Sequence, residues 1–299
     1  MAGKKIAGKA SFQLVRFLLF LTRILPVNAS YWLCKLLATA ASLLNWERKR
    51  IALANLGIVF PEKTEAERQS IFRESLANML KNYFEVCFIA NGKWSARDIS
   101  EAVTATGLQY LDNLQESGKG ALLYSGHFGN FPLLVIWLAN KGYPVAAIYK
   151  ESTNFPDYFF GDIMRRFNVT PLKYKTDPAL IIAIIRSLKE KKIVLIQNDQ
   201  SHPEGVYIDF FNRSVPSAAG PAILARRVGV PIIPAYIVRD TGNHHYITIL
   251  PEMVLKEIPD QEEFISVNTQ LQADWIAGIL KTHPTEWLWL HNRWKRAKK

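Results

Sequence analysis

Apolar residues are arranged in two ways along this chain. From Gly120 onward, short apolar runs alternate with amphipathic stretches. The runs Ala121–Ser125, Val145–Tyr149, Ile193–Asn198, Ile232–Val238 and Tyr246–Leu250 have the length and composition of buried strands. Leu133–Asn140, Pro156–Phe167, Pro178–Lys189 and Gly220–Arg227 fall between them and read as helices, and helical pattern returns over Phe264–Leu280. Such alternation predicts an α/β fold with a largely parallel central sheet covered by helices.

Before Gly120 the pattern is helical. Thr64 followed by Glu67 forms a capping box. Ile71, Phe72, Leu76, Met79, Leu80, Tyr83 and Phe84 then recur at helical spacing and read as a core face. Further upstream, Ser11–Leu25 is apolar but cut by Arg16 and Arg23, and Tyr31–Trp46 contains Lys35. Neither offers the roughly 18–20 uninterrupted apolar residues of a simple spanning helix. On a helix Lys5, Lys9, Arg16 and Arg23 form one stripe, with Phe12, Leu14, Leu18, Leu19 and Leu21 over much of the rest. This predicts an N-terminal amphipathic membrane-binding helix or hairpin; a single span carrying snorkelling arginines is the runner-up, and a cleaved signal peptide ending near Val27-Asn28-Ala29 or, for Tyr31–Trp46, an ordinary helix packed on the domain are the remaining readings. The expected organisation is a membrane-associated segment at 1–50 and one α/β domain at 51–299. Within that domain 51–118 is expected to be helical, 119–255 the α/β core and 256–299 a C-terminal helical part.

Charge placement supports a membrane surface. Residues 1–50 hold nine Lys/Arg against Glu47 alone, and residues 291–299 hold five with no acid. The net charge is +11, so residues 51–290 carry −2 and the excess lies wholly at the two ends. A nucleic-acid binder more often spreads basic residues over a folded face, and none is expected as partner here. Basic residues interleaved with Leu, Phe and Trp suit an anionic bilayer. Two cysteines, Cys34 and Cys87, supply no disulfide framework or thiolate cluster. His202, His244, His245 and His283 show no metal-ligand spacing, and there is no P-loop or dinucleotide fingerprint. No metal or bound cofactor is expected.

Three positions can carry chemistry. His127 lies in Ser125-Gly126-His127-Phe128-Gly129-Asn130, at the tip of one predicted strand and facing the start of a helix. A neutral imidazole there can take a proton from a hydroxyl attacking an activated acyl group, or it can only tie down the loop. Backbone N–H groups near Gly129 and Asn130 can stabilise the developing charge, and Asn130 can equally be an N-cap. Asp199 ends the strand Ile193–Asn198. If the two strands run parallel, it shares a rim with His127 and can fix its tautomer, or it can cap a loop. Arg213 precedes a helix opened by Gly220-Pro221, a natural anion site. Arg165 and Arg239 are weaker candidates for binding substrate.

Together these segments resemble the bacterial lipid A biosynthesis acyltransferases, the late lauroyl/myristoyl-type enzymes of the lysophospholipid acyltransferase-like group. The resemblance rests on Arg50-Ile51-Ala52-Leu53-Ala54-Asn55-Leu56 with Phe60-Pro61-Glu62, and on Gly126-His127-Phe128-Gly129-Asn130. Tyr149-Lys150 with Asn154 and Arg165 also matches, as do Asp199-Gln200, Gly205-Val206, Phe210-Phe211-Asn212-Arg213, Gly220-Pro221-Ala222 and Leu224-Ala225. Trp287-Leu288-Trp289-Leu290-His291-Asn292-Arg293-Trp294-Lys295 completes the set. The resemblance implies an enzyme at the cytoplasmic face of a bacterial inner membrane. It would move a fatty acyl chain from acyl carrier protein or coenzyme A to a hydroxyl of a lipid A precursor or related glycolipid. One position departs from the family's His-x4-Asp/Glu motif: the acidic place holds Pro132. Either Asp199 or another carboxylate replaces it, or the chain binds lipid or acyl carrier protein without turnover, or it acylates a different acceptor.

Overall fold

A computed structural model describes residues 13, 16–150, 159–174 and 177–298. In chain order its first half runs α1 (residues 16–24), α2 (Val27–Leu43), α3 (Glu47–Val59), α4 (Glu65–Ala90), α5 (Ala96–Glu101), β1 (Val103–Thr106), α6 (Gln109–Glu116), β2 (Ala121–Ser125) and α7 (Phe131–Asn140). Next come β3 (Val145–Lys150), α8 (Phe159–Arg166), β4 (Thr170–Tyr174), α9 (Asp177–Lys189), β5 (Ile193–Gln197), β6 (Ser201–Asp209) and β7 (Ser214–Ser217). The chain closes with α10 (Gly220–Val228), β8 (Ile232–Arg239), β9 (His245–Ile249), α11 (Gln261–Thr282) and a 3₁₀ turn at Pro284–Glu286.

Seven strands form one sheet in the order β1-β9-β8-β2-β5-β3-β4. Every pairing in it is parallel except β8 with β9. All five residues of β2 are buried, as a central strand covered on both faces requires. Leu123, Leu133 and Val135 pack on one side of the sheet, while Leu122, Tyr124 and Ile276 pack on the other. Chain order reverses around β2: β5 flanks it on one side and β8 on the other, which opens a crevice at the carboxyl ends of these strands.

Four strands differ from the sequence expectation. Val103–Thr106 lies inside the stretch read as helical, yet pairs with β9 at a sheet edge. Its pattern Val-Thr-Ala-Thr is short and half polar, which suits an edge and hides it from periodicity. The strand Thr170–Tyr174 also forms an edge, and Pro171 and Lys173 disguise it. The pair β6–β7 is a separate antiparallel ribbon, irregular between Ser201 and Val206. The expected start of the helix at Pro156 lies outside the described residues, and α8 is described from Phe159.

The 26-residue helix α4 runs beneath the site, opened by the Thr64–Glu67 capping box. Phe72, Leu76, Phe84 and Phe88 are buried, each contributing roughly 1.5–3 kcal/mol of apolar transfer free energy. Against α4 packs α2, through Tyr31, Cys34 and Ala38. Both cysteines are free and buried. The outer side of the α1–α2 pair is apolar and uncovered: Phe17, Phe20 and Ile24 follow helical spacing on α1, as do Trp32 and Leu36 on α2. Arg23 and Lys35 are exposed beside them. Lys5, Lys9, Phe12 and Leu14 lie outside the described residues. No described helix is long and apolar enough to cross a membrane.

Candidate active site

Ser125 of β2 pairs with Gln197 of β5, so His127 and Asp199 each stand two residues past the same rung. The loop carrying His127 is tightly constrained. Gly129 has φ +50°, and a Cβ there would sit 2.3 Å from the Ile237 carbonyl oxygen. Only glycine meets both conditions. Asn130 then caps α7 by accepting the Leu133 N–H at 3.2 Å, and Pro132 occupies the first turn, where no N–H is needed.

Asp199 holds His127 twice. One carboxylate oxygen lies 2.7 Å from Nδ1 and the other accepts the His127 backbone N–H at 2.9 Å. The indole of Trp287 donates to that second oxygen at 2.7 Å. A carboxylate opposite Nδ1 selects the tautomer with the proton on Nδ1 and leaves a lone pair on Nε2. Gln200 Nε2 lies 3.3 Å from that atom. Burial opposes charge on both partners, but their attraction outweighs it. The His127 pKa is raised above the ordinary imidazole value, and Asp199 is lowered to about 2.

The His127 ring, one-fifth exposed, opens on a cavity of about 350 Å³. One face of α4 walls it through Ser75, Asn78, Met79, Asn82, Tyr83 and Val86. Met79 and Tyr83, expected in the core, therefore face the cavity. Pro132, Val135, Phe160, Met164 and Leu195 make an apolar lining opposite. The space thus combines a proton acceptor with a greasy wall.

The other sequence candidates are placed differently. The Asn130 side chain is fully buried, and its Nδ2 donates to Glu85 at 2.8 Å. The Gly129 N–H is taken by the Glu286 carbonyl at 2.8 Å. Among the described residues the N–H groups of Asn130 and Phe131 have no partner, and these face the start of α7. Arg239 is not at a substrate surface: it is buried in the Glu85 ion pair, with Nη2 also donating to Asn82 at 2.7 Å. Arg239 does not line the cavity. Arg165 is exposed on α8 and pairs with Asp162. Arg213 is exposed between β6 and β7 and does not line the cavity.

Glu85 is the residue the sequence reading lacked. Its carboxylate accepts from Tyr31, Arg239, Asn130 and His245. Burial alone would raise its pKa, but Arg239 and His245 hold it well below the usual carboxylate range. Burial lowers the His245 pKa below the ordinary imidazole value, against the pull of Glu85. This hub ties α2, α4, the His127 loop, β8 and β9 together behind the cavity. Its one sequence signal is an acid set within Phe84-Glu85-Val86-Cys87-Phe88-Ile89.

The bacterial lipid A biosynthesis acyltransferase family matches residues 5–296 of this chain. The chain belongs to that family. The lipid A biosynthesis myristoyltransferase of Escherichia coli is 26% identical over 252 residues, covering 78% of this chain and 75% of that protein. The phosphatidylinositol mannoside acyltransferase of Mycolicibacterium smegmatis is 25% identical over 199 residues, 66% of this chain and 64% of that protein. The 1-acyl-sn-glycerophosphate acyltransferase PlsC of Thermotoga maritima superposes with a TM-score of 0.38 at 13% identity, over 84% of this chain and 94% of that one. In this lipid A acyltransferase family member Pro132 lines the cavity wall, and the carboxylate on the imidazole comes from the end of β5 instead.

Proposed function

We propose that this protein is a membrane-associated O-acyltransferase. It moves a fatty acyl chain from an acyl carrier protein or coenzyme A thioester to a hydroxyl of a lipid A precursor or related glycolipid. The observation that carries this reading is His127 fixed by Asp199 through Nδ1, with its ring lining an apolar cavity.

The acceptor hydroxyl displaces the long Gln200 contact and donates its hydrogen to Nε2. As the oxygen attacks the thioester carbonyl, His127 takes the proton and Asp199 stabilises the imidazolium. The free N–H groups of Asn130 and Phe131, at a helix start, receive the oxyanion. Collapse breaks the carbon–sulfur bond, and the imidazolium returns its proton to the departing thiolate. The products are an ester and a free thiol, and the ring is again neutral.

The exposed apolar residues of α1 and α2, with Arg23 and Lys35, suit a helix pair seated in the cytoplasmic leaflet of a bacterial inner membrane. The names of the relatives support a glycolipid acceptor. Mass spectrometry of total lipids tests the reading in cells lacking related acyltransferases. Wild-type protein yields a lipid one acyl chain heavier, and His127→Ala does not. An unchanged lipid profile with the wild-type protein contradicts it.

A further inference from the structure

The α4 face on the cavity is divided lengthwise. Met79, Tyr83 and Val86 form its apolar ridge, while Ser75, Asn78 and Asn82 form a polar one. The two asparagines stand one helical turn apart, with Cβ atoms on the order of 5–6 Å from each other. Each is pinned by a different buried partner. Asn78 Nδ2 donates to Glu286 Oε1 at 2.6 Å and to the Thr285 carbonyl at 3.3 Å. Asn82 Oδ1 accepts from Arg239 at 2.7 Å.

These partners settle which way each amide faces. A backbone carbonyl only accepts, so Asn78 must turn its nitrogen toward Thr285 and keep its oxygen for the cavity. A guanidinium only donates, so Asn82 must turn its oxygen toward Arg239 and keep its NH₂ for the cavity. Among the described residues neither Asn78 Oδ1 nor Asn82 Nδ2 has a partner. An unpaired acceptor and an unpaired donor therefore belong to side chains that line the same cavity as the His127 ring, beside the half-exposed Tyr83.

We infer that Asn78 and Asn82 bind two hydroxyls of a polyhydroxylated, sugar-type acceptor, and so select such acceptors over simple alcohols. This rests on the acyl-transfer reading. A hydroxyl both donates and accepts, so one hydroxyl gives its hydrogen to Asn78 Oδ1 and another receives one from Asn82 Nδ2. The Tyr83 ring offers an apolar surface for the C–H face of a pyranose. A thioester's acyl chain matches the apolar lining opposite, which leaves the polar ridge to the acceptor.

Isothermal titration with octyl glucoside below its micellar concentration, with dodecanol and with lauroyl-CoA tests the inference. Asn82→Ala removes the NH₂ donor and leaves Arg239 held by Glu85. Octyl glucoside binding is expected to weaken about tenfold in that variant, the scale of one lost hydrogen bond. Dodecanol and lauroyl-CoA binding stay as in wild type. Asn78→Ala is expected to give the same discrimination, and stands in if Asn82→Ala fails to fold. Three results overturn the inference: wild-type protein that does not bind octyl glucoside, unchanged glucoside affinity in the variants, or a parallel loss for lauroyl-CoA. The last would assign the amides to the donor's pantetheine arm. Lauroyl-CoA cleavage that persists in His127→Ala sinks the acyl-transfer reading without touching these affinities.

Discussion

Asp199 grips His127 at both ring and backbone, at 2.7 Å from Nδ1 and 2.9 Å from the amide nitrogen. One carboxylate thereby sets the tautomer of the ring and the position of the loop that carries it. Replacing Asp199 by Asn keeps the shape and removes the charge. Acyl transfer is expected to fall by about 10²–10⁴-fold, the range for losing the orienting acid of a His-based site. Steady-state rates with a saturating thioester donor check this.

The raised His127 pKa fixes the sign of the pH response. Only the neutral ring accepts a proton, so activity falls as pH drops through the raised value. The acid limb is expected above about 6.5, the ordinary imidazole value. In Asp199→Asn the stabilising charge is gone and the limb shifts to lower pH. A pH–rate profile of both proteins decides it.

Glu286 is buried in the 3₁₀ turn; Asn78 donates to one of its carboxylate oxygens, and the other has no hydrogen bond among the described residues. Burial pushes its pKa up to about 7, and Arg239 only partly offsets this. The folded state therefore holds the proton more tightly than the unfolded chain. Its stabilising contribution is present at low pH and is lost as pH rises from the unfolded value through about 7. Glu286→Gln is expected to stabilise the protein at pH 8, by an amount of order 2–3 kcal/mol at most. The gain shrinks toward pH 4.5. Denaturant melts at the two pH values measure it.

The Glu85 hub makes a second stability prediction. Glu85→Ala strands Arg239 as an uncompensated buried charge, at a cost of about 3–5 kcal/mol. It also frees the Asn130 side chain behind the active loop. Thermal unfolding should show the loss, and residual activity at low temperature should fall as well.

The apolar skin of α1 and α2 predicts bilayer contact. Phe20→Asp with Trp32→Asp places charge at two exposed apolar positions without disturbing the core. Sedimentation with vesicles containing anionic lipid should drop sharply, while catalysis on a detergent-dispersed acceptor persists.

The sequence showed some of this geometry and hid the rest, for physical reasons. The runs at β2 and β5 are continuous and apolar because central parallel strands are buried on both faces, and their ends placed His127 and Asp199 on one rim. Edge strands escaped notice because Thr104, Thr106, Pro171 and Lys173 serve solvent rather than the core. Arg239 looked like a phosphate ligand at a strand end. Its partner Glu85 is 154 residues away, and no local pattern reports such a pairing.

The central claim is that the His127 imidazole removes the acceptor's proton. The direct measurement is transfer of a labelled acyl chain from lauroyl-CoA or its acyl carrier protein thioester to a glycolipid acceptor, using purified wild-type protein and a folded His127→Ala variant. A labelled ester is expected with wild type, and at least about a hundredfold less with the variant. Equal ester formation by both proteins would contradict it.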